Sequence, residues 1–161
     1  MAMADSEGLR LLAEIYAVRD RTGTLMDGVL AHAADDIEWW AAGPPGVLPW
    51  AGSFRGREGV ARWFQVLNGS LEYDRWDPVE TFAAADHVVE IVRAGGRVRS
   101  NGRRYESDIV RVWTFRGGKL VRVRSFYDTA AYNLRHRRVR GRDAGPLSHR
   151  APGFRAWTRR E

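Results

Sequence analysis

The chain has 161 residues, contains no cysteine and carries a formal net charge of +6. This length allows one domain with a hydrophobic core, and the lack of cysteine excludes disulfides and thiolate metal sites. No apolar run approaches the roughly 20 residues that span a bilayer, and the first residues lack the basic and apolar regions of a signal peptide. We therefore expect a cytoplasmic protein that does not enter a membrane.

The positive charge is concentrated at one end of the chain. Residues 133–161 contain nine arginines against Asp143 and Glu161, whereas residues 1–132 are nearly neutral. We predict a single domain at 1–132 and an Arg-rich, mobile extension at 133–161 without sustained periodicity. Because the excess charge lies in the extension, nucleic acid is not an expected partner of the domain. A contact of the extension with an acidic surface or nucleic acid remains the alternative to a solvated tail or packing across a dimer.

Three helices are predicted before the main sheet. Apolar residues at helical spacing predict a first helix from residue 6 to about 20, with Tyr16 pointing inward. A Thr-Gly-Thr break precedes a second helix, which is expected to end near Asp36 with His32 close to that end. The third helix is predicted over residues 57–68.

The second half of the chain changes to the period of β-strands. Helices followed by an antiparallel meander predict an α+β fold. A bent antiparallel sheet with the helices on one face would enclose a pocket. The predicted strands cover residues 37–41, 71–83, 87–96, 102–116 and 119–127.

The hairpin over residues 105–128 contains the first candidates for chemistry. Arg111 alternates with Ile109 and Trp113, which predicts that its side chain faces the inside of the sheet. A buried arginine either forms an ion pair, here with Asp128 or Asp108, or binds an anion such as a substrate carboxylate or enolate. Asp128 ends the aromatic return strand and is therefore the first candidate acid or base.

Six segments of the chain carry a resemblance to a known family: the helix with Tyr16, and residues 34–39, 52–59, 102–105, 113–120 and 127–128. Over about residues 8–132 they resemble the nuclear transport factor 2 superfamily, in its SnoaL-like and ketosteroid-isomerase-like branch. The resemblance implies a cone-shaped domain that forms a homodimer through the outer face of the sheet. It does not settle the activity, because this fold hosts several chemistries.

Residues at positions that match known active sites favour some of these activities and disfavour others. Tyr16 matches the tyrosine of ketosteroid isomerases, but the position of their base falls on Ala41 and that of their acid donor near Arg111, which disfavours steroid isomerisation. Asp128 matches the terminal aspartate of limonene-type epoxide hydrolases and SnoaL-like cyclases. Those hydrolases also have an Arg and an Asp two residues apart on a middle strand. Arg93 lies on the expected strand, but Gly95 stands where the aspartate should be, so epoxide hydrolysis is kept as an alternative only.

The sequence therefore predicts a cofactor-independent acid/base enzyme of cyclase, isomerase or dehydratase type. Its ligand is expected to be a small hydrophobic molecule with a carbonyl group, such as a polyketide-like compound. The alternative is a non-catalytic binding protein of the same fold. Asp128 would transfer protons while Tyr16 and Arg111 stabilise an oxyanion. The predicted pocket residues are Trp40, Trp50, Phe64, Trp113, Tyr127 and His32.

Each of these residues also has a structural interpretation. Asp128 could cap the following turn, Tyr16 could belong to the core, and His32 could pack or face solvent. Trp50, in a proline-rich loop, could be a lid or an anchor. No metal is expected, because the four histidines are scattered along the chain.

Overall fold

Three helices and a six-stranded sheet form the fold, which confirms the predicted α+β class. The computed structural model describes residues 2–132, and the side chains of residues 7–132; the predicted extension at 133–161 lies outside the described residues. The helices are α1 (Ala2–Thr22), α2 (Leu25–His32) and α3 (Gly56–Ser70). The strands are β1 (Ala33–Ala41), β2 (Gly52–Arg55), β3 (Leu71–Ala84), β4 (His87–Val98), β5 (Arg104–Arg116) and β6 (Lys119–Tyr127).

The sheet is curved and unclosed, with the strand order β2-β1-β6-β5-β4-β3. All neighbouring strands are antiparallel except β1 and β6, which run parallel. Two predicted boundaries were wrong. Helix α2 ends at His32, because Ala33 already has extended dihedral angles, so β1 begins at Ala33. The short strand β2 was not predicted, because its four residues carry too little periodicity to reveal the pairing with β1.

The hairpin of β5 and β6 contains a shift of register. Gly117 and Gly118 have φ angles of 55° and 70°, which suit a two-residue hairpin turn. Beyond the turn Phe115 pairs with Leu120, and the pairing then shifts by one residue between Phe115 and Thr114. After this bulge, Arg111 lies opposite Ser125.

An aromatic core joins α3 to the inner face of the sheet. Trp39, Trp63 and Trp113 are each no more than 2% exposed. The rings of Trp39 and Trp63 lie 4.3 Å apart, and those of Trp39 and Trp113 lie 5.9 Å apart in an edge-on arrangement. The indole nitrogen of Trp63 also donates to the backbone oxygen of Trp50 at 2.9 Å. The core therefore fills the part of the cone next to β1 with rigid rings.

Helices α1 and α2 pack so closely that one glycine is required between them. A Cβ atom at Gly28 would lie 2.2 Å from the carbonyl oxygen of Ile15, whereas one at Gly69 would meet nothing within 4 Å. We expect Gly28→Ala to lower the free energy of unfolding by about 1–3 kcal/mol. Gly69→Ala, the matched control in α3, should raise it by up to about 1 kcal/mol. Urea unfolding of the two variants measures both changes, and equal effects would contradict the packing argument.

The outer face of the sheet carries partly exposed aromatic side chains. Trp40 and Phe126 have ring centroids 5.3 Å apart, and the guanidinium of Arg124 stacks on both rings. The expected homodimer through this face stays a prediction. Within the described residues, no helix is long and apolar enough to cross a membrane.

Candidate active site

A cavity of about 280 Å³ lies between the α1–α2 turn, the end of α3 and the inner face of the sheet. Most of its wall is apolar or aromatic, and Arg111 supplies a charge from β5. A site of this kind is typical of binding pockets for small organic molecules. The lining residues are Arg19, Gly23, Thr24, Leu25, Phe64, Leu67, Asn68, Tyr73, Trp76 and Arg111.

Arg111 is buried without a hydrogen-bond partner for two of its nitrogens. Its side chain is 3% exposed, and within the described part of the chain its Nε and Nη1 donate to nothing. The guanidinium instead stacks on the ring of Trp76 at 4.6 Å and lies within 6 Å of the rings of Trp39 and Trp113. Aromatic faces stabilise the charge, but the unused N–H groups remain costly to bury. The inward position predicted for Arg111 is confirmed.

A buried carboxylate lies beside Arg111 on the next strand. Glu90 is 2% exposed and pairs directly with Arg111 across β4 and β5. Its Oε1 accepts the hydroxyl of Tyr16, and its Oε2 accepts the indole nitrogen of Trp113 at 3.2 Å. Since the free nitrogens of Arg111 have no partner, they do not donate to Glu90. Glu90 and Arg111 are thus direct neighbours in the sheet, yet Nε and Nη1 of Arg111 donate no hydrogen bond to the Glu90 carboxylate.

The sequence analysis missed Glu90. The signal was present in the alternation of Val88, Glu90 and Val92, which puts a charged residue in phase with two buried valines. A carboxylate in such a position is either paired or functional, since burying it alone is very unfavourable. Attention to charged residues on the inner face of every strand, and not only of the last hairpin, would have found it.

Tyr16 is placed against Glu90 by helix α1. Burial first, and then the negative charge of Glu90, raise the pKa of the Tyr16 phenol well above its usual range. Tyr16 therefore remains a hydrogen-bond donor, and its single O–H is engaged by Glu90 in this structure. The guanidinium of Arg19, which lines the cavity, lies 4.6 Å from the centre of the Tyr16 ring. Tyr16 thus lies one side chain away from the cavity.

Tyrosines close the inner end of the cone. A small void of about 10 Å³ has Arg111, Ser125 and five aromatic residues among its lining. The ring of Tyr132 lies 4.7 Å from that of Tyr105 and 5.3 Å from that of Tyr127. Burial raises the pKa of Tyr73 to about 12 and lifts those of Tyr105, Tyr127 and Tyr132 further. These phenols stay neutral and fill the space behind Arg111.

The position predicted for Asp128 inside the cone was wrong. Strand β6 ends at Tyr127, and the Asp128 side chain is exposed. Its Oδ1 accepts the backbone N–H of Ala130 at 2.9 Å, and its own N–H donates to Ser107 Oγ at 3.1 Å. Asp128 therefore caps the turn after the sheet, as the structural interpretation had it, and lines neither the cavity nor the void.

The two adjacent tryptophans of β1 have the opposite orientation from the predicted one. Trp40 was expected in the pocket, but it is half-buried on the outer face beside Phe126. Trp39 is fully buried on the inner face and lies 5.7 Å from the Arg111 guanidinium. Alternation along a strand requires opposite directions for the two, and the unpredicted start of β1 hid which one turns inward.

The remaining predicted pocket residues lie in four different places. Phe64 lines the cavity, whereas Trp50 and Tyr127 line the small void. Trp113 lies behind Arg111 and binds Glu90. His32 lines neither the cavity nor the void. Its Nδ1 is 2.9 Å from the Gly28 oxygen, and its Nε2 is 3.3 Å from the Glu14 carboxylate. Trp50 is an anchor in this structure, because it is 1% exposed.

No metal centre is formed by the residues that the structure describes. Among them, no group of three or more histidine, cysteine, aspartate or glutamate side chains is arranged to hold an ion. The charged and hydrogen-bonding groups at the site are the Glu90 carboxylate, the Tyr16 phenol and the Arg111 guanidinium.

Comparisons with known proteins agree with the fold. The SnoaL-like domain family matches residues 13–123, so the chain belongs to this family. A crystal structure of an NTF2-like protein from Burkholderia xenovorans is 32% identical with a TM-score of 0.67, over 80% of this chain and 94% of that one. A comparison with curated proteins found no match.

Two further structures are similar to this chain. The crystal structure of TerC with polyporic acid is 26% identical with a TM-score of 0.66, over 78% of this chain and 95% of that one. A protein named as a candidate isomerase from Rhodopseudomonas palustris is 20% identical with a TM-score of 0.62, over 78% and 92% of the two chains, which shows the fold alone. Family and cavity together support a small-molecule-binding or isomerase-type function.

Proposed function

We propose that the protein is an acid/base enzyme of isomerase or cyclase type that acts on a small apolar molecule with a carbonyl group. One observation carries this proposal: a buried carboxylate, Glu90, lies directly opposite a buried guanidinium, Arg111, without occupying its free nitrogens. A purely structural pair would use those donors. Here the positive charge is left available at the cavity.

The reaction that fits this arrangement begins with loss of a proton from the carbon next to the carbonyl. The C–H bond breaks, its electron pair moves into an enolate, and Arg111 binds the enolate oxygen. Return of the proton to another carbon completes an isomerisation. Attack of the enolate carbon on a second carbonyl of the same molecule would instead close a ring: the C=O π bond breaks, and the alkoxide oxygen that forms takes up the removed proton.

Tyr16 and Glu90 are the groups assigned to the proton. Glu90 does not line the cavity, so the Tyr16 hydroxyl is proposed to accept the substrate proton while passing its own to Glu90. The hydrogen bond that this relay needs is already present. Arg19 covers the Tyr16 ring and is partly exposed, so its long side chain can move aside when a ligand binds.

The comparisons support a ligand of small organic type. TerC, a protein similar to this one, was crystallised with polyporic acid. The alternative of a limonene-type epoxide hydrolase gains no support, because Arg93 is exposed and its Nε donates to Asp108 at 3.0 Å. The non-catalytic binding protein remains the second candidate, since Glu90 is screened from the cavity by its neighbours.

Exchange of substrate protons with heavy water tests the proposal without knowledge of the product. Cyclic ketones and 1,3-diketones would be incubated with the enzyme in D2O, and loss of the α-proton signal followed by NMR. We expect the wild type to accelerate exchange of at least one compound and Glu90→Gln to slow it by at least about 100-fold. Asp128→Asn, the matched carboxylate control, should leave the rate unchanged.

Two results would overturn this assignment. If Asp128→Asn abolished exchange and Glu90→Gln did not, the exposed aspartate would be the acid/base. If compounds bound to the cavity and none of them exchanged, the protein would be a binding protein.

A further inference from the structure

We propose that the Arg111 guanidinium, unpaired beside the aromatic cavity, is an anion-binding subsite. Its ligand is a small aromatic or conjugated molecule whose carboxylate or phenolate oxygen is already ionised before it binds. This inference names the class of substrate of the proposed enzyme. Only the statement that the bound anion is a substrate rests on the proposed function. The binding of such an anion can be measured whether or not any reaction follows.

The first argument is the set of unused donors around Arg111. Arg111 is 3% exposed, and its Nε and Nη1 point to no acceptor in the described residues. The indole nitrogen of Trp76, another residue of the cavity wall, is also buried without a hydrogen-bond partner among residues 7–132. Three donor nitrogens without an acceptor in the described residues lie at one place. They indicate an acceptor on a ligand, because buried donors rarely stay without a hydrogen bond.

The second argument is that the protein keeps its own carboxylate away from Arg111. Glu90 is the cross-strand neighbour of Arg111, but the Tyr16 hydroxyl and the Trp113 indole each hold one of its oxygens. On the other side Arg111 faces Ser125, whose hydroxyl likewise has no hydrogen-bond partner in the described residues. Polar groups thus flank the guanidinium on both sides, but among the described residues none of them accepts a hydrogen bond from its Nε or Nη1.

The third argument is the charge of the cavity wall. Its lining includes two arginines, Arg19 and Arg111, and no aspartate or glutamate. Arg19 is already paired with Asp20 at 2.8 Å, so Arg111 is the charge available to a ligand. A neutral ligand would gain little from it, whereas an anion is stabilised by it in a site with little water. The guanidinium and a carboxylate also share a planar geometry that allows two parallel hydrogen bonds.

The fourth argument concerns the body of the ligand. Phe64, Tyr73 and Trp76 line the cavity, and the Trp76 ring lies against the guanidinium. A flat ring system attached to the anionic group would stack between such side chains. A volume of about 280 Å³ is below the range of most drug-sized pockets, so one or two fused rings are the expected size.

A matched pair of ligands tests the inference on the intact protein. The probes are 2-naphthoate and its neutral isostere 2-naphthamide, titrated at pH 7.5 with tryptophan fluorescence and with NMR of 15N-labelled arginine side chains. We expect the naphthoate to bind at least about tenfold more tightly, as a charge-assisted contact predicts. It should also shift the Nε–H resonance of Arg111. Equal affinities, or no binding of either compound up to about 10 mM, would overturn the proposal.

Two arginine variants identify the residue responsible. Arg111→Met should remove the preference for the carboxylate, whereas Arg122→Met, on the outer face of the sheet, should retain it. If Arg111→Met fails to fold, the comparison of the two ligands on the wild type decides alone. A retained preference in a folded Arg111→Met variant would overturn the assignment.

The outcome separates this inference from the proposed function. Preference for naphthoate with no proton exchange on any ketone would support the anion subsite and refute the enzyme. Exchange that depends on Glu90, with no preference between the two naphthyl ligands, would do the reverse.

Discussion

Replacing Tyr16 with phenylalanine is expected to abolish proton exchange and also to weaken the binding of anions that Tyr16 does not touch. The loss of exchange, on the order of 100-fold or more, follows from removal of the relay hydroxyl. The second effect follows from Glu90. Without the Tyr16 donor, its Oε1 is free to turn to the unpaired nitrogens of Arg111.

In the Tyr16→Phe variant, the ion pair between Glu90 and Arg111 would occupy the anion-binding subsite. The affinity for 2-naphthoate should fall by about tenfold, since an anion must then compete with a buried carboxylate. The Nε–H resonance of Arg111 in the ligand-free variant should move toward its ligand-bound position. A variant that binds naphthoate like the wild type would show that Tyr16 does not restrain Glu90.

Tyr127→Phe is the control for this experiment. Tyr127 is also partly buried, but its hydroxyl donates to the backbone oxygen of Ala42 at 2.5 Å, not to Glu90. Loss of this bond should lower stability by about 1 kcal/mol and leave exchange and anion affinity unchanged.

Replacing Tyr132 with alanine is expected to cost stability and to open the inner end of the cone. The Tyr132 ring is 2% exposed and packs against Tyr105, Tyr127 and Trp50. Its removal should lower the free energy of unfolding by about 3–5 kcal/mol. It should also enlarge the void of about 10 Å³ by on the order of 100 Å³, enough for an aromatic guest.

Thermal unfolding with and without p-cresol measures both effects. The Tyr132→Ala variant should be stabilised by p-cresol, because a guest that binds only the folded state raises its stability. Tyr132→Phe, which keeps the ring, should unfold nearly like the wild type and gain nothing from p-cresol. A void that collapses would appear as a smaller loss of stability and no rescue.

The sequence was sufficient for the strands whose burial alternates strictly. Ile109, Arg111 and Trp113 show period two between glycine turns, and the structure confirms their common inward face. The three helices were also predicted, since their apolar residues recur at helical spacing. The predicted boundaries between elements were less accurate. At β1, for example, helix α2 passes into the strand without a glycine or proline to mark the change.

The candidate site was only partly predictable, because it depends on contacts between distant segments. Tyr16 and Glu90 are 74 residues apart in the chain, and no local pattern joins them. Asp128 was favoured because its position matches a family motif, but a single residue past the end of a strand has no fixed orientation. The sequence could identify Arg111 as buried, yet only the structure shows which of its donors are unused.

The one-residue bulge in the β5–β6 hairpin has a consequence for the electrostatics of the site. If the pairing of Arg116 with Lys119 continued without a shift, Arg111 would face Arg124 instead of Ser125. Arg122 would then lie opposite Trp113, and two further guanidinium groups would point into the cone. Val121, the extra residue of β6 at the shift, therefore keeps Arg122 and Arg124 on the exposed side of the sheet and prevents like charges from being buried side by side inside the cone.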